Sequence, residues 1–196
     1  SAYLLAIELG ADAVEPDLVS TSDGVLVIRH ENEISGTTDV ASRPEFADRR
    51  TTKTIEGQKL TGWFTEDFSW AELSTLRARE RLPKLRPGNR DFEGDDGILR
   101  FADLLRILDA APPVPGTGRP VGLVAEIKHA SYFASIGLPL DELFAAELAR
   151  AGWDDEERLT VESFETTVLG RVRDRGIRAQ YVFLLEASGG PADHPD

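Results

Sequence analysis

Short apolar runs that read as strands alternate with segments of helical periodicity along most of this chain, and that alternation restricts it to βα units and a parallel sheet. Leu4, Leu5, Ile7 and Leu9 close a helix, with Gly10 suited to the position just past its end. A strand is expected over 11–20, and Asp23-Gly24 signals a two-residue hairpin turn that returns the chain over 25–30. Phe101, Leu104, Leu105 and Leu108 have helical spacing and stop before Pro112-Pro113. The pattern then gives a strand over 121–128, a helix over 140–151 closed by Gly152, a strand over 159–163, a helix over 166–175 closed by Gly176, and a last strand over 178–186. Residues 189–196 read as an unstructured tail.

Between residues 38 and 96 the apolar positions thin out among Arg, Asp, Thr and Gly, which suggests an insertion carried on one face. Inside it Ser69-Trp70-Ala71-Glu72 fits a capping box ahead of Leu73 and Leu76, so a short helix starts there. Trp63, Phe64, Phe68 and Trp70 could form a lid, but a small satellite core is the reading preferred. With 196 residues, 41% of them hydrophobic, the chain has material for a single domain, 1–196. It supplies about four barrel-type strands, too few to close a sheet that needs eight.

Charge and composition exclude several partners. The formal net charge of -13 repels nucleic acid and anionic lipid unless a local patch reverses it, and the sequence offers no Lys/Arg cluster to do so. No apolar run reaches the roughly 18 residues of a membrane span. Without cysteine, any metal must sit on oxygen or imidazole.

Glu15 and Asp17 stand two apart near the end of an apolar strand and therefore point to one side. Unpaired carboxylates so close repel, whereas a divalent cation lets both ionise; a solvated strand end is the plain alternative. Glu126 and Lys128 repeat the spacing on a second strand, either as an ion pair or as a third oxygen ligand beside a phosphate contact. In a strict two-residue hairpin Asp17 faces His30, which would place an imidazole beside the carboxylates for proton transfer; otherwise His30 is a surface residue. His129 and His194 read as structural or solvated, and Ser163 lacks the surroundings of a nucleophile.

At these residues the sequence resembles the glycerophosphodiester phosphodiesterase family. Glu15-Pro16-Asp17, Thr21-Ser22-Asp23-Gly24 and Val27-Ile28-Arg29-His30 are similar to its E-x-D, T-x-DG and V-x-x-H(D/E) series, Glu126-Ile127-Lys128 to its E-x-K, and Glu162-Ser163-Phe164-Glu165 to a later strand end. Residues 30–40, 62–68 and 128–133 look like the exported, calcium-using branch. The resemblance implies an α/β fold, a partial TIM (β/α)8 barrel of the phospholipase C-like type, carrying a hairpin and the insertion. It further implies metal-dependent hydrolysis of a glycerophosphodiester, such as glycerophosphocholine, to glycerol 3-phosphate and an alcohol. Glu15, Asp17 and Glu126 would hold the metal, Ca2+ in preference to Mg2+, with Lys128 on the substrate phosphate and His30 as one of two catalytic histidines.

The family's other histidine lies in a His-Arg-Gly segment on its first strand, and this sequence starts in the helix after it. The expectation is therefore an incomplete domain of little activity by itself, from a periplasmic or secreted enzyme. Glu31 stands where many members have Asp. The rival readings are a noncatalytic barrel fragment that binds metal or a partner, and a phospholipase D-like relative, from which the insertion and the 62–68 motif point away.

Overall fold

In the computed structural model, which describes residues 1–187 and 189–194, the alternation becomes a six-stranded sheet with one antiparallel edge. Helix α1 (Ala2–Glu8) leads into β1 (Ala13–Val14) and β2 (Asp17–Ser20), and β3 (Leu26–Ile28) returns antiparallel to β2. A separate ribbon, β4 (Thr51–Ile55) with β5 (Gln58–Gly62), and the short helix α2 (Trp70–Leu73) follow. Then come α3 (Phe101–Ala110), β6 (Gly122–Ile127), α4 (Ala130–Ser135), α5 (Leu140–Ala151), β7 (Leu159–Ser163), α6 (Thr166–Asp174) and β8 (Gln180–Phe183). The strand order is β3-β2-β6-β7-β8, with β1 also on β6, and every pair except β2–β3 is parallel. Among the described residues the sheet stays open.

β1 and β2 are one strand interrupted once. Their register on β6 continues from Ala13 opposite Gly122 to Asp17 opposite Glu126. The break falls at Glu15-Pro16, because Pro16 has no N–H to give; its carbonyl still accepts from the Glu126 N–H at 3.0 Å.

Local chemistry sets the helix ends. At the end of α1 the Ala11 N–H reaches the Ala6 carbonyl and the Gly10 N–H that of Ile7, a Schellman closure that needs Gly10 at φ 89°. Ser69 and Glu72 satisfy each other's backbone N–H groups at the start of α2, as the capping box requires. The apolar faces of α3 and α5 meet over the sheet, where Phe101 and Phe144 stack with ring centroids 5.4 Å apart. Trp63, Phe64 and Phe68 are buried, and Trp63 and Phe68 join the main core through Phe46, which accepts the Trp63 indole N–H on its carbonyl at 2.6 Å. Trp63, Phe68 and Trp70 are thus continuous with the core and not a satellite of it. At Gly62 a side chain would collide with the Glu33 carboxylate, which binds the N–H groups of Ser35 and Trp63.

Two further expectations are corrected. The hairpin loop runs from Thr21 to Val25, not two residues, because Thr21 closes it: its N–H binds the Val25 carbonyl and its hydroxyl oxygen accepts the Val25 N–H. Leu18 then pairs with Ile28, one residue away from the expected register, and it is Arg29 whose N–H reaches the Asp17 carbonyl. The tail is also tied down. Ala192 donates to the Phe164 carbonyl and the Asp193 carboxylate accepts from the Thr166 and Thr167 N–H groups at the start of α6. Pro195 and Asp196 of that expected tail lie outside the described residues.

Candidate active site

Parallel pairing lines up a row of acids. Asp17 on β2 is the register partner of Glu126 on β6, and Glu126 is the partner of Glu162 on β7, so all three side chains leave the sheet on one face. Glu15 joins from the interrupted strand: ligand-capable oxygens of Glu15, Asp17 and Glu126 all lie within 4.8 Å of one another. Lys128, one turn of the pleat beyond Glu126, places Nζ 3.0 Å from Glu126 Oε1 and 3.7 Å from Asp17 Oδ1, with the Phe164 ring 5.8 Å away. The structure therefore gathers four of the five sequence-selected residues. Glu162 is the acid that spacing alone passed over; its register with Glu126 is what marks it.

One lysine does not balance this many carboxylates. Although Glu15 keeps much of its surface in solvent, partial burial and then the charges of Asp17, Glu162 and Glu126 push its carboxyl up to about 7. Burial raises Glu126 against the hydrogen bond and charge of Lys128, and burial and Asp17 raise Glu162. Burial alone would lower the Lys128 ammonium, but Glu126 and Asp17 hold its pKa up. The convergent carboxylate oxygens of Glu15, Asp17 and Glu126 are the kind of donor set a hard divalent cation takes.

The slipped hairpin register removes the geometric reason for placing His30 opposite Asp17. His30 is exposed beyond the end of β3, its Nδ1 2.8 Å from Glu31 Oε1. It borders a pocket of about 340 Å³ that Arg29, Arg79, Arg81 and Arg86 also line. This corrects the expectation that the chain offers no basic cluster: Arg79, Arg81 and Arg86 stand close together in the sequence, and the fold brings Arg29 to them. Arg29 lies half-buried with its Nε lacking a partner, and burial lowers its guanidinium. His129, expected to be structural or solvated, is largely buried: its Nδ1 is 2.7 Å from Glu56 Oε1 on the ribbon turn. His194 is exposed at the surface and Ser163 spends its hydroxyl on the Ile127 carbonyl. Among the described residues no helix is long and apolar enough to cross a membrane.

A sequence model of the glycerophosphoryl diester phosphodiesterase family matches residues 1–193. A glycerophosphodiester phosphodiesterase of Arabidopsis thaliana is 41% identical over 128 residues, which cover 65% of this chain and 32% of that protein. One from Haemophilus influenzae is 24% identical over 188 residues, 86% of this chain and 46% of that one. Among solved structures, a putative glycerophosphoryl diester phosphodiesterase from Silicibacter pomeroyi aligns over 98% of this chain and 60% of its own, with a TM-score of 0.66 at 20% identity. An Oleispira antarctica phosphodiesterase, solved in complex with the product sn-glycerol-3-phosphate, aligns over 93% and 58%, with a TM-score of 0.57 at 19% identity. These two likenesses speak for the fold, a TIM-barrel-type α/β architecture. The chain spans between a third and three-fifths of the length of these proteins.

Proposed function

The chain belongs to the glycerophosphoryl diester phosphodiesterase family, and we propose that it forms the metal-binding half of an active site that hydrolyses glycerophosphodiesters to glycerol 3-phosphate and an alcohol. The observation that carries this reading is the convergence of Glu15, Asp17 and Glu126 beside the Lys128 ammonium, on the face where β6 and β7 end. A bound divalent cation there would polarise the phosphoryl oxygens of the substrate. Lys128, already held charged by Glu126 and Asp17, would offset negative charge that builds on the phosphate. The arginines beside His30 would draw the anionic diester towards a protein that otherwise repels it.

His30 would move a proton to or from the reacting oxygens. Its Nδ1 is engaged by Glu31, which leaves Nε2 for that task. Calcium as the metal and a periplasmic or secreted setting belong to the same proposal and rest on the likeness of residues 30–40 to the exported branch.

The test uses the full-length protein, with release of glycerol 3-phosphate from glycerophosphocholine as the readout. Activity should require Ca2+ or Mg2+ and vanish with chelator. His30→Ala should lose about 10²–10⁴-fold in kcat while binding metal normally. Undiminished turnover in that variant would exclude His30, and undiminished turnover after chelation would exclude the metal.

A further inference from the structure

Among the described residues the two non-glycine positions with positive φ are Glu56, at 49°, and His129, at 51°, and they are bonded to each other. A left-handed backbone costs a residue with a side chain on the order of 1 kcal/mol or more, and it persists where surrounding contacts impose it. At Glu56 the two-residue turn itself requires the positive φ, and both residues meet in one contact. Glu56 and Gly57 form the two-residue turn between β4 and β5, and that turn carries the Glu56 carboxylate to His129 Nδ1. His129 follows Lys128 and precedes α4, so its left-handed backbone turns the imidazole back towards the ribbon.

The other nitrogen of His129 points to a further acid. Its Nε2 is buried with no hydrogen-bond partner, and Glu31 Oε2 lies 3.8 Å from it. The second oxygen of that same carboxylate, Oε1, is the one 2.8 Å from His30 Nδ1. Glu56, His129, Glu31 and His30 therefore form a continuous series, carboxylate to imidazole to carboxylate to imidazole, from the ribbon turn to the edge of the arginine-lined pocket.

We propose that Glu56 and His129 are positioning residues for His30: the β4–β5 turn, acting through His129, holds the Glu31 carboxylate on His30 Nδ1 and so presents Nε2 to the substrate. This rests on the proposed role of His30 in proton transfer. The charge logic is consistent along the series. Burial alone would lower the His129 imidazolium, but the Glu56 hydrogen bond and the charges of Glu56 and Glu31 outweigh it, against the opposing Lys128, and leave its pKa raised. A charged His129 attracts Glu31 Oε2 and steadies the carboxylate that His30 uses; a staple of the ribbon alone would end at the Glu56–His129 bond and leave His30 unaffected.

The test follows the His30 ring by NMR titration in the full-length protein, alongside the pH profile of kcat on glycerophosphocholine. Glu56→Gln, His129→Gln and Glu31→Gln should each shift the His30 titration and the matching limb of the profile in the same direction. Each should lower kcat by about 10-fold or more with little change in KM, while Glu31→Asp should restore both. Normal metal binding in each variant shows that it has folded. An unmoved His30 titration and pH profile in folded Glu56→Gln and His129→Gln would overturn the coupling, even if His30→Ala is inactive. Full turnover by His30→Ala would instead overturn the underlying reading of His30.

Discussion

Asp17 and Glu126 are register partners on adjacent parallel strands, so their carboxylates emerge side by side, with Glu15 completing a triad of oxygens within 4.8 Å. Glu15 holds a proton up to about pH 7, because partial burial and three neighbouring carboxylates disfavour its charge. A divalent cation reverses that preference and must expel the proton. Calcium binding near pH 6 should therefore release close to one proton, and near pH 8 almost none, as read by calorimetry in buffers of different ionisation enthalpy. Glu15→Gln or Glu126→Gln should weaken binding by more than the roughly 10–100-fold that loss of an outer partner costs. Equal affinity in either variant would rule out the shared site.

Glu66 is a buried acid outside that cluster, and its partners make it a structural joint. The carboxylate, 2% exposed, accepts from Asn32 at 3.1 Å, from Lys53 at 2.9 Å and from the Tyr132 hydroxyl, joining the loop after β3, the ribbon and α4. Removing the cation from such a pair leaves a buried charge exposed to its desolvation cost. Lys53→Met should destabilise the protein by about 3 kcal/mol in urea unfolding. A loss within about 0.5 kcal/mol would show that Asn32 and Tyr132 suffice.

Asp193 acts at a distance as a cap. Although burial would raise its carboxyl, hydrogen bonds from Thr167 and Thr166 lower it, and those bonds occupy two of the free N–H groups at the start of α6. Asp193→Ala should cost about 1 kcal/mol and increase amide exchange in the first turn of α6. Unchanged exchange there would mean that the cap contributes nothing.

Where chain-local chemistry dictates geometry, the sequence was legible. Gly10, Gly152 and the Ser69–Glu72 box announce their helix ends, and the two-residue spacing in Glu15-Pro16-Asp17 and Glu126-Ile127-Lys128 announces the acidic face. What escaped depended on competition or on distance. The Asp23-Gly24 signal was real, but the Thr21 side chain captured the Val25 N–H and lengthened the loop, moving His30 out of register with Asp17. The β4–β5 ribbon escaped because Thr and Lys fill its exposed positions and Ile55 alone is a buried apolar residue there. Glu162, Asp193 and the approach of Arg29 to Arg79, Arg81 and Arg86 depend on partners far away in the chain, which periodicity cannot report.

The bond between Glu56 and His129 should give the protein a pH window of its own. His129 has its pKa raised in the folded state above the ordinary 6.5, since Glu56 and Glu31 outweigh the burial that opposes them, so its contribution is complete below 6.5 and disappears as pH climbs through the folded value. Glu56 has its pKa lowered beneath the ordinary 4.5, chiefly by the His129 hydrogen bond, so its contribution is complete above 4.5 and disappears as pH falls through the folded value. Both groups are charged together between those limits. The stability difference between the protein and its His129→Gln variant should accordingly plateau from pH 4.5 to 6.5 and shrink on either side, when unfolding midpoints in urea are compared across pH. The alkaline decline identifies His129 itself, because glutamine does not titrate and Lys128, the cation next to it, stays charged well above that range. A difference that stays constant as pH rises beyond the plateau would show that the bond needs no charge on His129, and that the ribbon turn is held by neutral hydrogen bonding alone.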